Sequence, residues 1–265
     1  MIGYRVVIPA RHASTRLPGK PLASIAGEPM IRWVWERARQ GGASEVIIAT
    51  DHEGIASACA AFGAEVCMTD PGHASGTDRI AEVADRRGWS EDQVVVNVQG
   101  DEPLLPPVLV QQVAELLVLH PEADLGTLGT PIHALAEYLD PNVVKVVARS
   151  DGAALYFSRA PIPWHRDGAP AGLGSQRHHD GAMRHLGIYS YRVGALRRLS
   201  AASPCRLEEA ERLEQLRALW LGMRIQVDAA LEIPPPGVDT PEDLERVNRI
   251  LSAASSSSPG SRPAR

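Results

Sequence analysis

The fold is decided by the stretch Val-Val-Val-Asn-Val-Gln-Gly-Asp-Glu-Pro at residues 94–103, where a continuous apolar run stops at polar and turn-forming residues. A short apolar run that ends in this way is typical of a central strand in an α/β sheet. Ligands of such sheets bind beyond the carboxyl ends of the strands. Asp101 would lie at that edge, where a magnesium ion and a nucleotide phosphate could both reach it.

Strand-like and helix-like runs alternate through the first half of the chain. The predicted strands are residues 4–8, 45–50, 65–67 and 94–98, and helical spacing of apolar residues begins at Met30, Ile55, Ile80 and Val110. This β-α-β-α order predicts an α/β protein with a mostly parallel, twisted sheet and helices on both faces.

The second half is less regular. Predicted strands cover residues 125–131, 143–147, 155–157, 186–191 and 224–227, and predicted helices cover residues 208–221 and the segment that begins at Thr240. From Ser252 the chain is composed only of Ser, Ala, Pro, Gly and Arg. We therefore expect one domain over residues 1–251 and a disordered Ser/Pro-rich tail over residues 252–265.

The composition limits both the partners and the cellular compartment that we expect for the protein. The 265 residues carry a formal net charge of -5 without a long Lys/Arg run, so we expect no nucleic-acid polymer as a partner. Three scattered cysteines without a CxxC pair indicate reduced thiols. The sequence shows no signal peptide and no apolar stretch long enough to span a membrane, so we expect a cytoplasmic protein.

The loop after the first predicted strand concentrates positive charge. Residues 9–22 read PARHASTRLPGKPL and hold Arg11, Arg16 and Lys20. Guanidinium and ammonium groups, together with free backbone N–H groups, suit a triphosphate. A solvated basic loop is the alternative, but the position after the first strand favours phosphate binding. The loop contains neither the Walker P-loop pattern nor the dinucleotide-binding GxGxxG pattern.

A second acidic residue is needed beside Asp101, because magnesium in nucleotide sites usually takes one or two carboxylates with phosphate oxygens and waters. The best candidate is Asp239, which follows a strand-like region and precedes a helix start at Thr240-Pro241. A role as an additional capping residue is the alternative for Asp239.

Two other segments hold candidate ligand-binding side chains whose roles the spacing alone does not decide. Ser75 and Thr77 could contact a base or a ribose, or they could cap the next helix. Arg159 and His185 could bind an acidic second substrate, or they could be a surface ion pair and a satisfied histidine at a strand start.

Taken in order, these motifs resemble those of the 3-deoxy-manno-octulosonate cytidylyltransferase (CMP-Kdo synthetase) family. The matching segments are IPAR (8–11), STRLPGKPL (14–22), ATD (49–51), SGTDR (75–79), NVQGDEP (97–103), YFSR (156–159), RHLGIY (184–189), LEQLR (213–217) and GVDTPEDL (237–244). They extend over roughly residues 4–251. The ordered set is highly specific, although the first loop alone is shared with other sugar nucleotidyltransferases.

The resemblance implies a reaction in which CMP passes from CTP to the anomeric hydroxyl of 3-deoxy-D-manno-octulosonate (Kdo), giving CMP-Kdo and pyrophosphate, with Mg2+ as the cofactor. CMP-Kdo is the activated sugar for lipopolysaccharide biosynthesis. The resemblance also implies a nucleotide-diphospho-sugar transferase (GT-A-like) architecture and a homodimer. A smaller, antiparallel element for sugar binding and dimerisation would cover about residues 130–225, with a hairpin around residues 155–164.

The same resemblance implies roles for individual residues. The nucleotide-binding residues would be Ala10, Arg11, Arg16, Lys20, Ser75, Arg79 and Gln99, and the catalytic ones Lys20, Arg11 and Asp101. Asp101 and Asp239 would bind Mg2+. The acidic sugar would be faced by Arg159, His185, Glu214 and Gln215. The loop at residues 165–183 does not align with the family, so the resemblance does not show how the sugar-binding side is completed.

Three alternatives remain. A related cytidylyltransferase could act on another sugar acid, such as sialic acid or 8-amino-Kdo. A glycosyltransferase with a nucleotide-sugar donor would carry an acidic DxD motif after a strand, which Asp101-Glu102-Pro103 does not supply. A non-catalytic nucleotide-binding module is the third alternative. Asp101→Asn separates it from an enzyme, because an enzyme should lose nearly all turnover while its fold survives.

Overall fold

The structure, a computed structural model, describes residues 3–12, 17–169 and 171–257. The strands are β1 (Arg5–Pro9), β2 (Ser24–Ile25), β3 (Glu28–Pro29), β4 (Glu45–Thr50), β5 (Glu65–Met68), β6 (Val94–Asn97), β7 (Leu125–Pro131), β8 (Lys145–Ala148), β9 (Ala154–Ser158), β10 (Met183–Arg192) and β11 (Ile225–Ala229). The α-helices are α1 (Met30–Gln40), α2 (Glu53–Ala61), α3 (Gly76–Arg86), α4 (Pro107–Leu119), α5 (Leu135–Leu139), α6 (Val193–Ala201), α7 (Arg206–Glu211), α8 (Gln215–Trp220) and α9 (Pro241–Ser257).

Four parallel strands form the half of the sheet that contains the apolar run of β6. β1 lies between β4 and β6, and β5 extends the sheet beyond β4. Val6 and Ile8 pack with residues of α1, α2 and α4, whereas Val7 packs with residues of α3 and α6. Because successive residues of a strand point to opposite faces, helices cover both faces of the sheet. The predicted α/β architecture is confirmed.

The other half of the sheet is largely antiparallel. β10 runs antiparallel between β6 and β7, and β11 lies parallel beside β7. The antiparallel β8–β9 hairpin attaches to the first residues of β10. The register of β10 against β7 shifts between Leu186 and Tyr189. Such a bulge bends the strand and redirects its side chains.

The helix predicted over residues 208–221 is broken in the structure. α7 ends at Glu211, Arg212 has a left-handed backbone with φ of 53°, and α8 begins at Gln215. Leu213 and Leu216 are buried, as the spacing indicates, but Trp220 is 57% exposed. The prediction of one continuous helix was wrong because apolar spacing continues across the break and does not report the change in backbone direction.

Other boundaries also differ from the prediction. α5 and α6 were not predicted from the sequence, and α9 continues past Ser252, where the tail was expected to begin, to Ser257. Residues 258–265 of that tail lie outside the described residues. In the described ranges, no helix combines the length and the apolar character that a membrane crossing requires.

Candidate active site

A cavity of about 300 Å³ lies beyond the carboxyl ends of β1 and β6. It brings together most of the predicted nucleotide and metal residues, namely Ala10, Arg11, Lys20, Ser75, Arg79, Gln99, Asp101 and Asp239. Arg16 lies outside the described residues. Strand ends of the parallel half and one late loop therefore meet in a single site, at the edge where α/β sheets bind ligands.

Two glycines bring the first loop close to Asp101. A Cβ atom at Gly100 would lie 2.8 Å from the carbonyl oxygen of Pro9, so a side chain there would force the two strand ends apart. Gly19 has a left-handed backbone with φ of 65° and precedes the short 3-10 turn Lys20–Leu22. Lys20 is thereby turned into the cavity.

Lys20 is the point at which the two predicted metal ligands meet. Its Nζ atom donates to Asp101 Oδ2 at 2.7 Å, to Asp239 Oδ1 at 3.1 Å and to the carbonyl oxygen of Val238 at 2.9 Å. The amide of Val238 in turn donates to the carbonyl oxygen of Asp101 at 2.9 Å. This backbone bond fixes the late loop beside the end of β6, so that both carboxylates converge on one cation.

Two converging carboxylates fit a magnesium ion that takes its other ligands from a substrate. Magnesium prefers oxygen ligands and usually keeps several waters beside one or two carboxylates. Among the residues that the structure describes, no group of three or more His, Cys, Asp or Glu side chains could form a metal cage made by the protein alone. The donor set of Asp101 and Asp239 therefore suits an ion shared with phosphate oxygens.

Glu102, next to Asp101, lines neither cavity but has a strongly shifted pKa. Burial raises the pKa of Glu102 to about 7, the neighbouring Asp101 adds to the shift, and Arg184 opposes it. Burial and a nearby like charge both favour the protonated form of a carboxyl group. The only signal in the sequence was its place beside Asp101 in the Gln99–Pro103 turn.

The N-terminus of α3 forms another wall of the cavity. Ser75 Oγ accepts a hydrogen bond from the amide of Asp78 at 3.2 Å, and Asp78 Oδ2 accepts one from the amide of Ser75 at 3.2 Å, which is a capping box. Arg79 is buried and donates to Asp51 Oδ2 at 2.7 Å and to the Thr69 hydroxyl. Ser75 and Arg79 therefore stabilise the local fold and line the cavity at the same time.

A second cavity, of about 410 Å³, opens on the antiparallel side of Gln99. Gln99 lines both cavities, and its Nε2 atom donates to the carbonyl oxygen of Gly187 at 3.4 Å. Three of the predicted sugar-binding residues, His185, Glu214 and Gln215, line this second cavity. Two ligands bound in the two cavities would therefore lie side by side.

Burial controls the protonation of side chains in the second cavity. It lowers the pKa of His185 to about 3, so the ring is neutral at neutral pH. His185 Nε2 lies 3.0 Å from Thr127 Oγ1. Burial also raises the pKa of Glu214, while hydrogen bonds with Thr77 and Ser75 oppose that shift. In this cavity His185 is therefore a neutral hydrogen-bonding group, whereas Glu214 also pairs with Arg217 at 3.3 Å.

Arg159 is not among the residues that line either cavity. Its Nε atom donates to the carbonyl oxygen of Glu211 at 2.7 Å, and its Nη1 atom donates to the carbonyl oxygen of Pro141 at 3.0 Å. Its backbone amide donates to Glu211 Oε2 at 2.8 Å. The structure thus places this predicted sugar-binding residue between the segment before β8 and the end of α7.

Several residues of the second cavity were not predicted from the sequence. Asn97, Arg184, Tyr189 and Tyr191 line it beside the predicted residues. Tyr189 Oη is buried and finds no hydrogen-bond partner among the described residues. Asn97 ends the apolar strand β6 and lies opposite Tyr189 of β10. That polar ending of a buried strand was the available signal.

Comparisons with known proteins give one answer. A profile described as cytidylyltransferase matches residues 5–225. A 3-deoxy-manno-octulosonate cytidylyltransferase of Pseudomonas syringae pv. syringae is 55% identical over 255 residues, which cover 94% of this chain and 98% of that protein. A protein of the same name from Vibrio vulnificus is 54% identical over 254 residues, which cover 96% of this chain and all of that protein.

A solved structure is similar as well. It is a CMP:2-keto-3-deoxy-manno-octonic acid synthetase complexed with CTP, and it matches with a TM-score of 0.85 and 40% sequence identity over 96% of this chain and 100% of that chain. The order of the motifs, the α/β architecture and these nearly full-length matches all agree. The chain belongs to the 3-deoxy-manno-octulosonate cytidylyltransferase family.

Proposed function

We propose that this chain transfers CMP from CTP to the anomeric hydroxyl of Kdo and releases pyrophosphate, with Mg2+ as the cofactor. The observation that carries the proposal is the cluster of Lys20, Asp101 and Asp239 in one cavity, joined through Gln99 to a second cavity. The names of the relatives and the CTP in the similar structure support the choice of substrates.

The first cavity would bind CTP. Arg11 and Lys20 supply positive charge for the phosphates, and Ser75 with Gln99 would place the nucleoside. Asp101 and Asp239 would hold Mg2+, which, when bound, would neutralise phosphate charge and polarise the α-phosphate. The guanidinium group of Arg79 is already bonded to Asp51 and Thr69, so it would support the cavity wall as much as the nucleotide.

The second cavity would bind Kdo through polar side chains. His185, Glu214 and Gln215 can hydrogen-bond sugar hydroxyls. Arg184 lines the same cavity and offers positive charge to the carboxylate, although it also pairs with Glu137 at 3.3 Å. Arg159 would reach the sugar only by leaving the carbonyl groups that it binds in this structure.

The chemistry is an in-line displacement at the α-phosphorus of CTP. The anomeric hydroxyl oxygen of Kdo forms the new bond to phosphorus and releases its proton to solvent, and pyrophosphate leaves with the electrons of the broken phosphoanhydride bond. Such a reaction depends on positioning and on neutralising charge, and it requires no covalent enzyme intermediate. Arg11 and Lys20 would stabilise the charge on the departing pyrophosphate.

We also propose that the enzyme is a cytoplasmic homodimer that serves lipopolysaccharide biosynthesis. Leu155 on β9 is 58% exposed and Trp164 is 44% exposed, so the predicted dimerisation hairpin carries apolar surface. Exposed apolar patches often mark protein interfaces. Light scattering should therefore report the mass of a dimer, and a monomer at micromolar concentration would contradict this part of the proposal.

The direct test of the activity is pyrophosphate release from CTP and Kdo. We expect release that depends on both substrates and on Mg2+. Sialic acid and 8-amino-Kdo serve as competing substrates, and faster turnover of either one would replace Kdo in the proposal. The absence of any release, beside an active control enzyme, would reject cytidylyl transfer as the function.

A further inference from the structure

Only two of the 27 Lys and Arg residues in the sequence are lysines. Lys20 belongs to the first cavity. Lys145, in β8, is completely buried, and none of the roles proposed above uses it. A buried charge is costly unless it is paired and hydrogen-bonded, so the partners of Lys145 indicate its role.

Three backbone carbonyl groups surround the ammonium group of Lys145. Its Nζ atom donates to the carbonyl oxygens of Asp140 at 2.9 Å, Val143 at 2.6 Å and Arg159 at 2.6 Å. An ammonium group has three N–H donors, and all three are used here. The planar guanidinium group of an arginine could not meet three acceptors that converge on one point.

These carbonyl groups belong to segments beside the second cavity. Residues 142–144, which follow Asp140, line one wall of that cavity, and residues 213–215 line another. Arg159 shares its carbonyl oxygen with Lys145, while its side chain binds the carbonyl oxygens of Pro141 and Glu211. Lys145 and Arg159 together therefore connect the two walls.

The charges around Lys145 compensate part of the cost of its burial. Burial lowers the pKa of Lys145, the carboxylates of Asp140 and Glu211 oppose that shift, and Arg159 adds to it. Removing the cation would leave buried carbonyl oxygens without their donor, which costs more than the hydrogen bonds themselves contribute. The ammonium group therefore adds to the hydrogen bonds that hold the 140–144 segment, among them those from Arg159 to Pro141 and from His185 to Val144.

We propose that Lys145 is a positioning residue that holds the 140–144 wall of the second cavity against Arg159 before the sugar acid binds. The identity of that ligand rests on the proposed function, whereas the positioning of the wall does not. A preformed pocket avoids the cost of ordering its walls on binding. Loss of Lys145 should therefore weaken the binding of the sugar acid and leave the binding of CTP almost unchanged.

The kinetic test compares Lys145→Met with the wild-type enzyme. We expect KM for Kdo to rise about tenfold or more, because small displacements of a binding wall are costly, while KM for CTP changes less than about twofold. Lys145→Arg, which keeps the charge, should lie between the two. The control is Arg149→Met, which removes an exposed ion pair with Asp151 just after β8 and should behave like the wild type. An equal rise in both KM values, or no rise for Kdo, overturns the proposal.

Hydrogen exchange in the absence of substrates tests the positioning independently of the activity. In the wild-type protein the amides of residues 142–144 should exchange slowly without any ligand, and Lys145→Met should accelerate them while Arg149→Met does not. If Lys145→Met does not fold, Lys145→Arg carries the same comparison. Fast exchange of this segment in the ligand-free wild-type protein, or no acceleration in a folded variant, overturns the proposal even if the chain proves to use another sugar acid. If this segment exchanges slowly but the protein shows no cytidylyl transfer, only the proposed function is rejected.

Discussion

The two cavities that meet at Gln99 are built from different kinds of interaction. The first gathers full charges, with Asp101 and Asp239 at 2.7 Å and 3.1 Å from Lys20 in partly exposed positions. The second gathers buried polar groups, among them His185, whose pKa burial lowers to about 3. A triphosphate needs counter-charge, whereas a polyhydroxylated acid needs directional hydrogen bonds, so each cavity suits one of the two proposed substrates.

The largest effect should come from removing charge from the first cavity. Asp101→Asn keeps the size of the side chain but removes one of the two carboxylates that converge on Lys20. We expect kcat to fall about a thousandfold, because groups that stabilise charge in a phosphoryl-transfer transition state make contributions of that order. Pyrophosphate release at saturating CTP and Kdo measures it.

Asp92→Asn is the matched control, since Asp92 is exposed before β6 and contacts neither cavity. Circular dichroism should show that both variants keep the fold. Activity of Asp101→Asn close to that of the control would remove Asp101 from the mechanism and leave Asp239 as the only one of the two proposed metal ligands.

The two cavities also differ in how far they could be predicted. Asp101, Lys20 and the first loop follow parallel strands directly, and local sequence is enough to place residues at the end of a strand. Asp239 was predicted because a strand-like segment and a capped helix flank it. Arg11 and Asp101 are therefore close to their strands in sequence as well as in space, whereas Asp239 comes ten residues after the end of β11.

The second cavity depends on contacts between distant parts of the chain, which local sequence patterns do not predict. The left-handed backbone of Arg212 redirects Glu214 and Gln215 into the cavity, yet the apolar spacing around it predicts a continuous helix. Arg217, at 2.8 Å from the carbonyl oxygen of Ala202, helps to fix that turn from another part of the chain. Arg159 was predicted from its motif, but only the fold shows that it binds Glu211 instead of lining the cavity.

A smaller effect should appear at Glu102, whose carboxyl group is shielded from solvent beside the first cavity. Burial raises the pKa of Glu102 from 4.5 to about 7, so the folded protein binds its proton more tightly than the unfolded chain does. The stability that Glu102 contributes is therefore present below pH 4.5 and is lost as the pH rises through 7. Glu102→Gln should not lose this stability. Its free energy of unfolding should therefore exceed that of the wild type by about 3 kcal/mol at pH 8 and differ little at pH 4.5.

Urea unfolding without Mg2+ or substrates, at the two pH values, measures this difference. Glu209→Gln, at an exposed position of α7, serves as the control and should show no comparable pH dependence. If the stability difference between Glu102→Gln and the wild type is the same at both pH values, Glu102 titrates normally. It then belongs with the solvated charges of the first cavity.

A still smaller effect is expected when a polar group is removed from the second cavity by mutation. Glu214→Ala removes a half-buried carboxyl group that hydrogen-bonds with Thr77 and Ser75. We expect KM for Kdo to rise about tenfold, as for the loss of a hydrogen bond to a polar group, with a smaller rise in KM for CTP because Ser75 also loses a partner. Glu209→Ala is again the control. A larger change for CTP than for Kdo would mean that the two cavities do not divide the substrates as proposed.

The smallest effect should appear at the base of the first loop. His52 Nδ1 accepts a hydrogen bond from the amide of Ile55 at 3.3 Å and caps α2, while its ring stacks on His12 with centroids 4.0 Å apart. His52→Ala removes both interactions, whereas His52→Asn keeps a capping side chain. We expect thermal or urea unfolding to show a loss of about 1 kcal/mol for Ala and almost none for Asn. Both variants should raise KM for CTP by about threefold, because both lose the stacking that anchors the loop. If KM for Kdo rose instead, the first loop would act on the second cavity, and the two cavities would not bind the two substrates separately.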